Sequence, residues 1–333
     1  MSTVSAATNA DVVIVGGGLL GLSTARALRG KREVLVLEQE TVGHARGGSH
    51  GPTRIFRLGY PAPAYVRLAQ QARTGWHALE AEAGEPLLHP TPQLTFGPGA
   101  DAVFAALSAA GAPVERISAA EIQRQFPAFA GHGDAVLETA SAVIAADRAL
   151  DALRRHCGAE VREHARVHRV GAHQVETETE TIDARAGVVC AGPWSRSLVP
   201  GIDTLATLEH VGYARPGAGL PIFIDFTEPA VYGLPTPGSD LYKVAVHHGG
   251  AAIDPHREFA PAPGAIAALE RAIAAWLPGA GLVEVDVCPY DNTADESFVV
   301  ERIDGIVVGA GTSGHAFKFG PVLGEQLANL VLP

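Results

Sequence analysis

The first forty residues combine two hydrophobic periodicities that together predict a strand, a helix and a second strand. Residues 11–15 are apolar and mostly β-branched, which is typical of a short buried strand. A glycine-rich turn follows at residues 16–21, and the chain to about Leu28 then repeats alanine and leucine at helical spacing. Residues 33–37, which are apolar from Val34 onward, predict the next strand, so the unit is of the dinucleotide-binding kind.

Helical and strand patterns alternate along the remaining sequence. Residues 64–82 predict a helix whose apolar face carries Tyr65, Leu68, Ala69, Ala72, Trp76 and Leu79. Ser118 and Glu121 form a capping-box pattern that opens a short helix, and Pro127 ends it. Several strands are predicted between residues 221 and 247, then a helix over 265–277, a strand over 305–308 and a last helix from about Pro321. This order predicts an α/β fold.

Composition and charge exclude several classes of protein. The 333 residues are 47% hydrophobic and 18% charged, which is ordinary for a globular chain with a substantial core. The net charge of -11 argues against a general attraction to nucleic acid or to an anionic membrane. No apolar run reaches the ~20 residues of a membrane helix. The first ten residues do not resemble a secretory signal, so we expect a cytoplasmic protein.

Cysteine and lysine usage narrows the search for chemistry. The three cysteines have no CxxC spacing and predict neither a disulfide framework nor a zinc site: Cys157, Cys190 and Cys288. Of the 25 basic residues, only three are lysines: Lys31, Lys243 and Lys318. Such a bias indicates that lysine is kept where a compact ammonium does something that guanidinium cannot.

The glycine turn matches a nucleotide-binding pattern. Gly16, Gly18 and Gly21 form G-x-G-x-x-G between the predicted strand and helix, where the helix N-terminus offers free N–H groups to a pyrophosphate. Glu38 lies 20 residues beyond Gly18, at the end of the second strand, where a carboxylate can bind ribose hydroxyls. This motif alone does not separate FAD from NAD(P). A second strand, glycine turn and helix at residues 304–318 favours FAD, because the flavin ring needs its own approach at the far end.

One predicted strand carries charge in an apolar setting. At a period of two, Lys243, Ala245 and His247 share one face of residues 241–247, while Tyr242 and Val244 share the other. A lysine and a histidine on the same face predict a sheet that lines a polar cavity.

Six segments resemble the monomeric sarcosine oxidase and N-methyltryptophan oxidase group, within the wider D-amino-acid-oxidase-like flavoproteins. In chain order they are DVVIVGGGLLGLSTA, GGSHGPTRIFR, VVCAGPWS, LYKVAVHH, CPYDNTADESFVV and GAGTSGHAFKFGP. The resemblance implies a Rossmann-type FAD-binding domain and a discontinuous substrate domain built on a mixed or antiparallel sheet. We expect the FAD domain to comprise residues 1–86, 139–208 and 290–333, and the substrate domain 87–138 and 209–289.

The same resemblance implies roles for residues at the flavin. Cys288 matches the cysteine that joins the flavin covalently through its 8-methyl carbon, so covalent FAD is expected. The residues matching positions close to the ring are His50, Arg54, Gly314 and His315. Val167 matches a residue that contacts adenine through its backbone.

On the substrate side, the resemblance implies an amine oxidase that acts on a secondary, N-methylated or cyclic amino acid and produces an imine and hydrogen peroxide. Arg57 and Lys318 match the pair that binds the substrate carboxylate, and Lys243 matches the lysine that promotes the reaction with oxygen. The residues expected to border the substrate are Tyr232, His247 and Tyr290. A monomer that needs no metal is expected.

Departures from the family keep other readings open. The chain is shorter than is usual for the group, and Ala316 replaces a glycine of the family's Gly-His-Gly-Phe-Lys. The alternatives are a flavin dehydrogenase with another electron acceptor, a biosynthetic imino-acid or amine oxidase with a larger substrate, an FAD-binding scaffold without activity, and an NAD-dependent dehydrogenase.

Overall fold

The computed structural model describes residues 9–332. Most of the N-terminal segment from which we predicted the absence of a secretory signal therefore lies outside the described residues. Twenty strands are present in the described range: β1 (Asn9–Val15), β2 (Val34–Leu37), β3 (Thr53–Phe56), β4 (Leu88–Pro90), β5 (Gln93–Phe96), β6 (Val114–Ile117), β7 (Ala135–Glu138), β8 (Ala142–Ala145), β9 (Glu160–Arg162), β10 (Val167–Val170), β11 (Gln174–Thr177), β12 (Thr181–Val189), β13 (Leu205–Ala214), β14 (Ile222–Asp225), β15 (Val231–Pro235), β16 (Tyr242–Val246), β17 (Ala251–Ala252), β18 (Leu282–Asn292), β19 (Val299–Ile303) and β20 (Ile306–Ala310).

The helices of the described range fall mostly where hydrophobic periodicity predicts them. They are α1 (Leu19–Leu28), α2 (Pro63–Ala83), α3 (Ala100–Ala109), α4 (Ala119–Gln125), α5 (Ala146–His156), α6 (Ser195–Leu198), α7 (Pro263–Trp276) and α8 (Gly320–Val331). Ser118 caps α4 by accepting a hydrogen bond from the backbone N–H of Glu121 at 3.3 Å, so the predicted capping motif is confirmed in its Ser-to-backbone half. No helix among the described residues is both long and apolar enough to cross a membrane.

The first sheet has eight strands and a parallel centre. Five neighbouring strands run parallel in the order β9-β2-β1-β12-β20, and β19, β11 and β10 extend the sheet by antiparallel pairing. Apolar side chains cover both faces, with α1, α2, α5 and α8 on one of them. A parallel sheet must be buried on both faces, which explains the short runs of valine and leucine in β1 and β2.

The second sheet is mixed, with both parallel and antiparallel pairs. Its nine strands follow the order β17-β13-β16-β15-β14-β5-β7-β6, with β18 also paired to β13. The pair β14–β5 is parallel, and the other pairs are antiparallel. A third sheet has three strands in the order β3-β8-β4. In the sequence, β3 and β4 come between β2 and β5, and β8 comes between β7 and β9. The predicted fold class, a Rossmann-type α/β unit with a mixed sheet, is confirmed.

The mixed sheet has one apolar face and one face towards a cavity. Tyr242 and Val244 pack into a core with Trp276 of α7, whereas Lys243 and His247 line the cavity. Strand alternation along β16 therefore produces the two faces predicted from sequence. β13 and β18 run continuously across the predicted domain boundaries after residues 208 and 289; the division into two domains stays a prediction.

Candidate active site

A single large cavity joins the two main sheets. Its volume is about 1150 Å³, and its walls extend from the glycine turn and Glu38 at one end to Lys243, His247 and Lys318 at the other. Pockets for drug-sized ligands have volumes of about 300–1,000 Å³. The cavity is therefore large enough for a dinucleotide together with a small substrate.

The glycine turn is shaped by close backbone contacts. Gly16 has a φ of +108°, and a Cβ atom on it would lie 2.3 Å from the carbonyl oxygen of Cys190. A Cβ on Gly21 would lie 1.9 Å from the carbonyl oxygen of Gly16. Gly16 and Gly18 line the cavity, while Gly21 lies behind them and lets α1 approach β1. The three glycines thus have different physical tasks, as the motif predicts.

Glu38 closes the nucleotide end of the cavity. Its carboxylate accepts hydrogen bonds from the backbone N–H groups of Gly17 at 2.8 Å and Glu40 at 2.9 Å, and His44 lies 3.4 Å away. Burial alone raises the pKa of Glu38, but these donors outweigh burial and hold the pKa below its ordinary value. Val167 also lines the cavity. A charged acceptor is therefore available where ribose hydroxyls are expected.

Cys288 lines the cavity from β18. The side chain is 7% exposed, and its Sγ atom is 3.9 Å from a guanidinium nitrogen of Arg54. The guanidinium is itself held by the carbonyl oxygens of Thr53, Gly48 and His50. The thiol of Cys288 therefore lies beside a guanidinium group at the wall of the cavity.

His50 lies beside this region without lining the cavity. Its imidazole nitrogens lie 2.7 Å from the carbonyl oxygen of Gly47 and 3.0 Å from the carboxylate of Asp286. Burial alone raises the pKa of Asp286, but the hydrogen bond and charge of His50, together with the backbone N–H of Val287 and the charge of Lys243, outweigh burial and lower the pKa. Sequence reasoning missed Asp286, although it precedes Cys288 by two residues and so shares its strand face.

Lys243 presents an unpartnered ammonium group to the cavity. The residue is only 4% exposed, and among the described residues its side chain has no hydrogen bond and no ion pair within 4.0 Å. Burial and the nearby charge of Arg54 lower its pKa to about 7. A buried cation without a partner is costly, so its place in the cavity wall indicates a function.

Two further cations face the cavity around one aromatic ring. The Arg57 guanidinium lies 4.2 Å from the centroid of the Tyr60 ring, and the Lys318 ammonium donates to the Tyr60 hydroxyl at 2.9 Å. Neither cation has a carboxylate within 4.0 Å in the part of the chain that the structure describes. Burial and the charge of Arg57 hold the pKa of Lys318 well below its ordinary value. This arrangement favours an anion, which would relieve the repulsion between the two cations.

A buried carboxylate holds the segment that carries Arg57 and Tyr60. Glu138, at the end of β7, accepts hydrogen bonds from the backbone N–H groups of Leu58 at 2.7 Å and Gly59 at 2.9 Å. The carbonyl oxygen of Gly59 in turn accepts a hydrogen bond from Arg57 at 2.7 Å. Tyr60 and Glu138 were both missed by the sequence analysis, because no local pattern connects them to Arg57 or Lys318.

His315 extends the same network towards the cavity mouth. Burial and the charge of Lys318 lower its pKa to about 3, so the imidazole is neutral. Because its Nε2 lies 3.0 Å from the carbonyl oxygen of Glu296, this nitrogen carries the proton, and Nδ1 accepts from the Tyr60 hydroxyl at 3.2 Å. Gly314 precedes it with a φ of +68°, and a Cβ there would lie 2.0 Å from the Tyr290 ring.

Aromatic rings form the remaining wall. His247 makes edge contacts with Tyr232 and Tyr290, with ring centroids 6.2 Å and 6.4 Å apart. Burial raises the pKa of Tyr232 to about 12 and lowers the pKa of His247 to about 3. All three side chains are therefore neutral near pH 7, and they leave the charge of the site to Lys243, Arg57 and Lys318.

The residues present fit FAD. The glycine turn leaves a cradle that a Cβ would fill, Glu38 offers a ribose acceptor, and the cavity continues to the cysteine and lysine on the mixed sheet. The candidate site residues thus surround one continuous space, except for Gly21 and His50, which lie behind it.

Comparisons with known proteins agree with this geometry. Residues 11–330 match the profile of the family described as "DAO: FAD dependent oxidoreductase". The chain is 33% identical to peroxisomal sarcosine oxidase of Mus musculus, with 96% of this chain and 91% of that protein covered. It is 28% identical to monomeric sarcosine oxidase of Arthrobacter sp. (strain TE1826), with 97% and 92% covered.

Solved structures agree on the fold. NikD, an unusual amino acid oxidase essential for nikkomycin biosynthesis, superposes with a TM-score of 0.86 at 23% identity, over 98% of this chain and 94% of that one. The resemblance inferred from sequence is thereby confirmed. Since the family profile covers nearly the whole sequence and a relative shares a third of its residues, the chain belongs to the FAD dependent oxidoreductase (DAO) family.

Proposed function

We propose that the protein is an oxidase of secondary, N-methylated or cyclic amino acids that forms an imine and hydrogen peroxide. The observation that carries this proposal is the pair of unneutralised cations, Arg57 and Lys318, in the same cavity as the free ammonium of Lys243. The names of the sarcosine oxidases among its relatives support the substrate class.

Substrate positioning would depend on Arg57 and Lys318. Arginine binds a carboxylate through two parallel hydrogen bonds, and lysine adds a compact charge. The network around Tyr60 fixes both cations relative to the neutral wall of Tyr232, His247 and Tyr290. An uncharged amine held there by its carboxylate would direct its α or N-methyl carbon to a fixed place in the cavity.

FAD, when bound, supplies the acceptor for the hydride equivalent lost by the amine. Gly16, Gly18 and Glu38 would hold its nucleotide half, and Val167 would border the adenine. Arg54, Gly314 and His315 would surround the ring end. His50 does not line the cavity, and it would support this wall through its hydrogen bond to Asp286.

Lys243 would assist the reaction with oxygen. Electron transfer to oxygen creates negative charge, and an ammonium already in place stabilises that charge in a site that excludes water. The absence of a partner for Lys243 among the described residues leaves its charge available.

The first test compares a panel of possible substrates with a closely related compound that should not react. Sarcosine, N-methyl-L-tryptophan, L-proline and L-pipecolate are compared by peroxide release, together with sarcosinamide, which lacks the carboxylate. We expect release from at least one of the four acids and little from the amide. Release that is equal for sarcosine and its amide would contradict the carboxylate site. Oxidation of an acid without peroxide would favour a dehydrogenase.

A pH dependence follows from the pKa of Lys243. Because burial lowers this pKa to about 7, the ammonium is present below that pH and is lost above it. We expect the rate constant of reoxidation by oxygen to fall as the pH rises through about 7. Stopped-flow mixing of the reduced protein with oxygenated buffer measures it separately from amine oxidation. A rate that rises with pH would contradict a protonated Lys243 as the assisting group.

Covalent attachment at Cys288 is a separate part of the proposal. Its support is the position of the thiol in the cavity wall beside Arg54. After acid precipitation, we expect yellow colour in the pellet of the wild type and in the supernatant of Cys288→Ala. Cys157→Ala, a change at a buried cysteine outside the cavity, is the control and should keep the pellet yellow. Wild-type colour in the supernatant would remove the assignment.

We also propose that the protein acts as a monomer.

A further inference from the structure

Three potential metal ligands meet where the cavity opens: His247, His248 and Glu296. One ligand atom from each side chain lies within 4.8 Å of the other two. His247 and His248 follow β16 of the mixed sheet, and Glu296 belongs to the loop between β18 and β19. The cluster therefore links the mixed sheet to a loop that leads into the first sheet, and all three residues line the cavity.

The backbone brings these side chains together in an uncommon conformation. His248 has a φ of +52° and Glu296 a φ of +60°. Residues other than glycine adopt the left-handed region at a cost, and such residues are concentrated at functional sites. The imidazole Nε2 of His315 bonds the carbonyl oxygen of Glu296 at 3.0 Å, which fixes the loop from the cavity side.

The distances suit a small divalent ion. Two ligand atoms that each lie about 2.1 Å from a tetrahedral zinc ion are about 3.4 Å apart. Nε2 of His248 and Oε1 of Glu296 are 3.2 Å apart, and the two histidine rings have centroids 4.0 Å apart. The ligand atom of His247 lies within 4.8 Å of both of the others.

We propose that His247, His248 and Glu296 form a binding site for a zinc-like transition-metal ion at the cavity mouth, and that the bound ion inhibits turnover. Two imidazoles and one carboxylate favour zinc and its neighbours over magnesium or calcium, which prefer oxygen ligands. Three protein ligands leave one coordination position open, facing water or a ligand in the cavity.

The charges near the cluster determine the expected affinity for the metal ion and its expected effect on turnover. Arg57 and Lys318 act electrostatically on His247, and their positive charges weaken cation binding, so the ion binds reversibly and is no permanent structural metal. An ion in this position narrows the entrance of the cavity and competes with Arg57 and Lys318 for the substrate carboxylate. The inhibition rests on the proposed function, whereas the binding of the ion does not.

Equilibrium dialysis of the purified flavoprotein against zinc chloride, after treatment with EDTA, tests the site directly. We expect one zinc ion per chain, no competition by excess magnesium, and at least a ~10-fold weaker affinity in His248→Asn and in Glu296→Gln. Asparagine tolerates the left-handed conformation, so His248→Asn removes the ligand with little change in the backbone. His256→Gln, at another histidine lining the cavity, is the matched control and should bind zinc like the wild type.

Activity provides the second readout. Zinc should inhibit peroxide release in the wild type and in His256→Gln at the concentrations at which it binds, and the two ligand variants should resist it. No bound zinc, or binding that neither ligand variant weakens, overturns the site whatever the activity. Zinc held by the cluster without inhibition overturns the proposed effect on turnover. If the protein binds zinc as expected but oxidises no amine, the proposed function fails and the metal site stands.

Discussion

Lys243→Met is expected to slow the reaction of the reduced protein with oxygen by about 10²- to 10³-fold, the effect of removing one preorganised charge from a reacting site. Methionine is similar to lysine in length and is apolar, so it fills the same buried position without the ammonium. Reduction by an amine should remain largely intact, because the substrate carboxylate is assigned to Arg57 and Lys318. The two half-reactions are measured separately by anaerobic and aerobic stopped-flow absorbance.

The control for this change is Lys31→Met, at an exposed lysine whose ammonium donates a hydrogen bond to the backbone oxygen of Ala27 at 3.0 Å. Its reoxidation should match the wild type. Unchanged reoxidation in Lys243→Met would remove the assigned role. A loss confined to anaerobic reduction would instead place Lys243 on the substrate side of the chemistry.

The second large effect concerns the affinity of the site for the carboxylate of a ligand. Arg57→Ala is expected to weaken binding of a carboxylate ligand by about 2 kcal/mol or more, the cost of truncating a buried charge pair. This corresponds to roughly a 30-fold higher dissociation constant. Benzoate, a planar carboxylate that the protein cannot oxidise as an amine, serves as the probe through its perturbation of the flavin spectrum.

Two variants make the result specific. Arg57→Lys should recover part of the affinity, because the charge remains while the bidentate geometry is lost. Arg67→Ala, at an exposed position of α2, should bind benzoate normally. If Arg57→Ala lowered only turnover and left benzoate binding intact, the guanidinium would not be the anchor of the carboxylate.

Local patterns predicted the scaffold well. The strand–turn–helix–strand unit at the N-terminus has both a hydrophobic periodicity and a glycine motif, so β1 and β2 could be placed to within two residues. The end of α1 was placed correctly, but α1 begins at Leu19, inside the predicted turn at residues 16–21. Alternation along β16 likewise put Lys243 and His247 on the cavity face. In both cases the deciding interactions lie within a few residues of one another along the chain.

Contacts between distant segments could not be predicted in this way. Tyr60 and Lys318 are 258 residues apart in sequence and 2.9 Å apart at their polar atoms. His50 and Asp286 are separated by 236 residues and bond at 3.0 Å. Local motifs singled out His50 and Lys318, but nothing in the sequence identified Tyr60 and Asp286 as their partners. Their partners are determined only when the two main sheets pack together.

The most direct test of the proposed oxidase is anaerobic mixing of the purified protein with each amino acid of the panel in turn, followed by admission of oxygen. The flavin absorbance should bleach under anaerobic conditions, and oxygen should restore it with one hydrogen peroxide formed per flavin. A flavin that bleaches and then reoxidises slowly, without peroxide, would contradict the oxidase and indicate a dehydrogenase. A flavin that no member of the panel reduces would contradict the proposed substrate class.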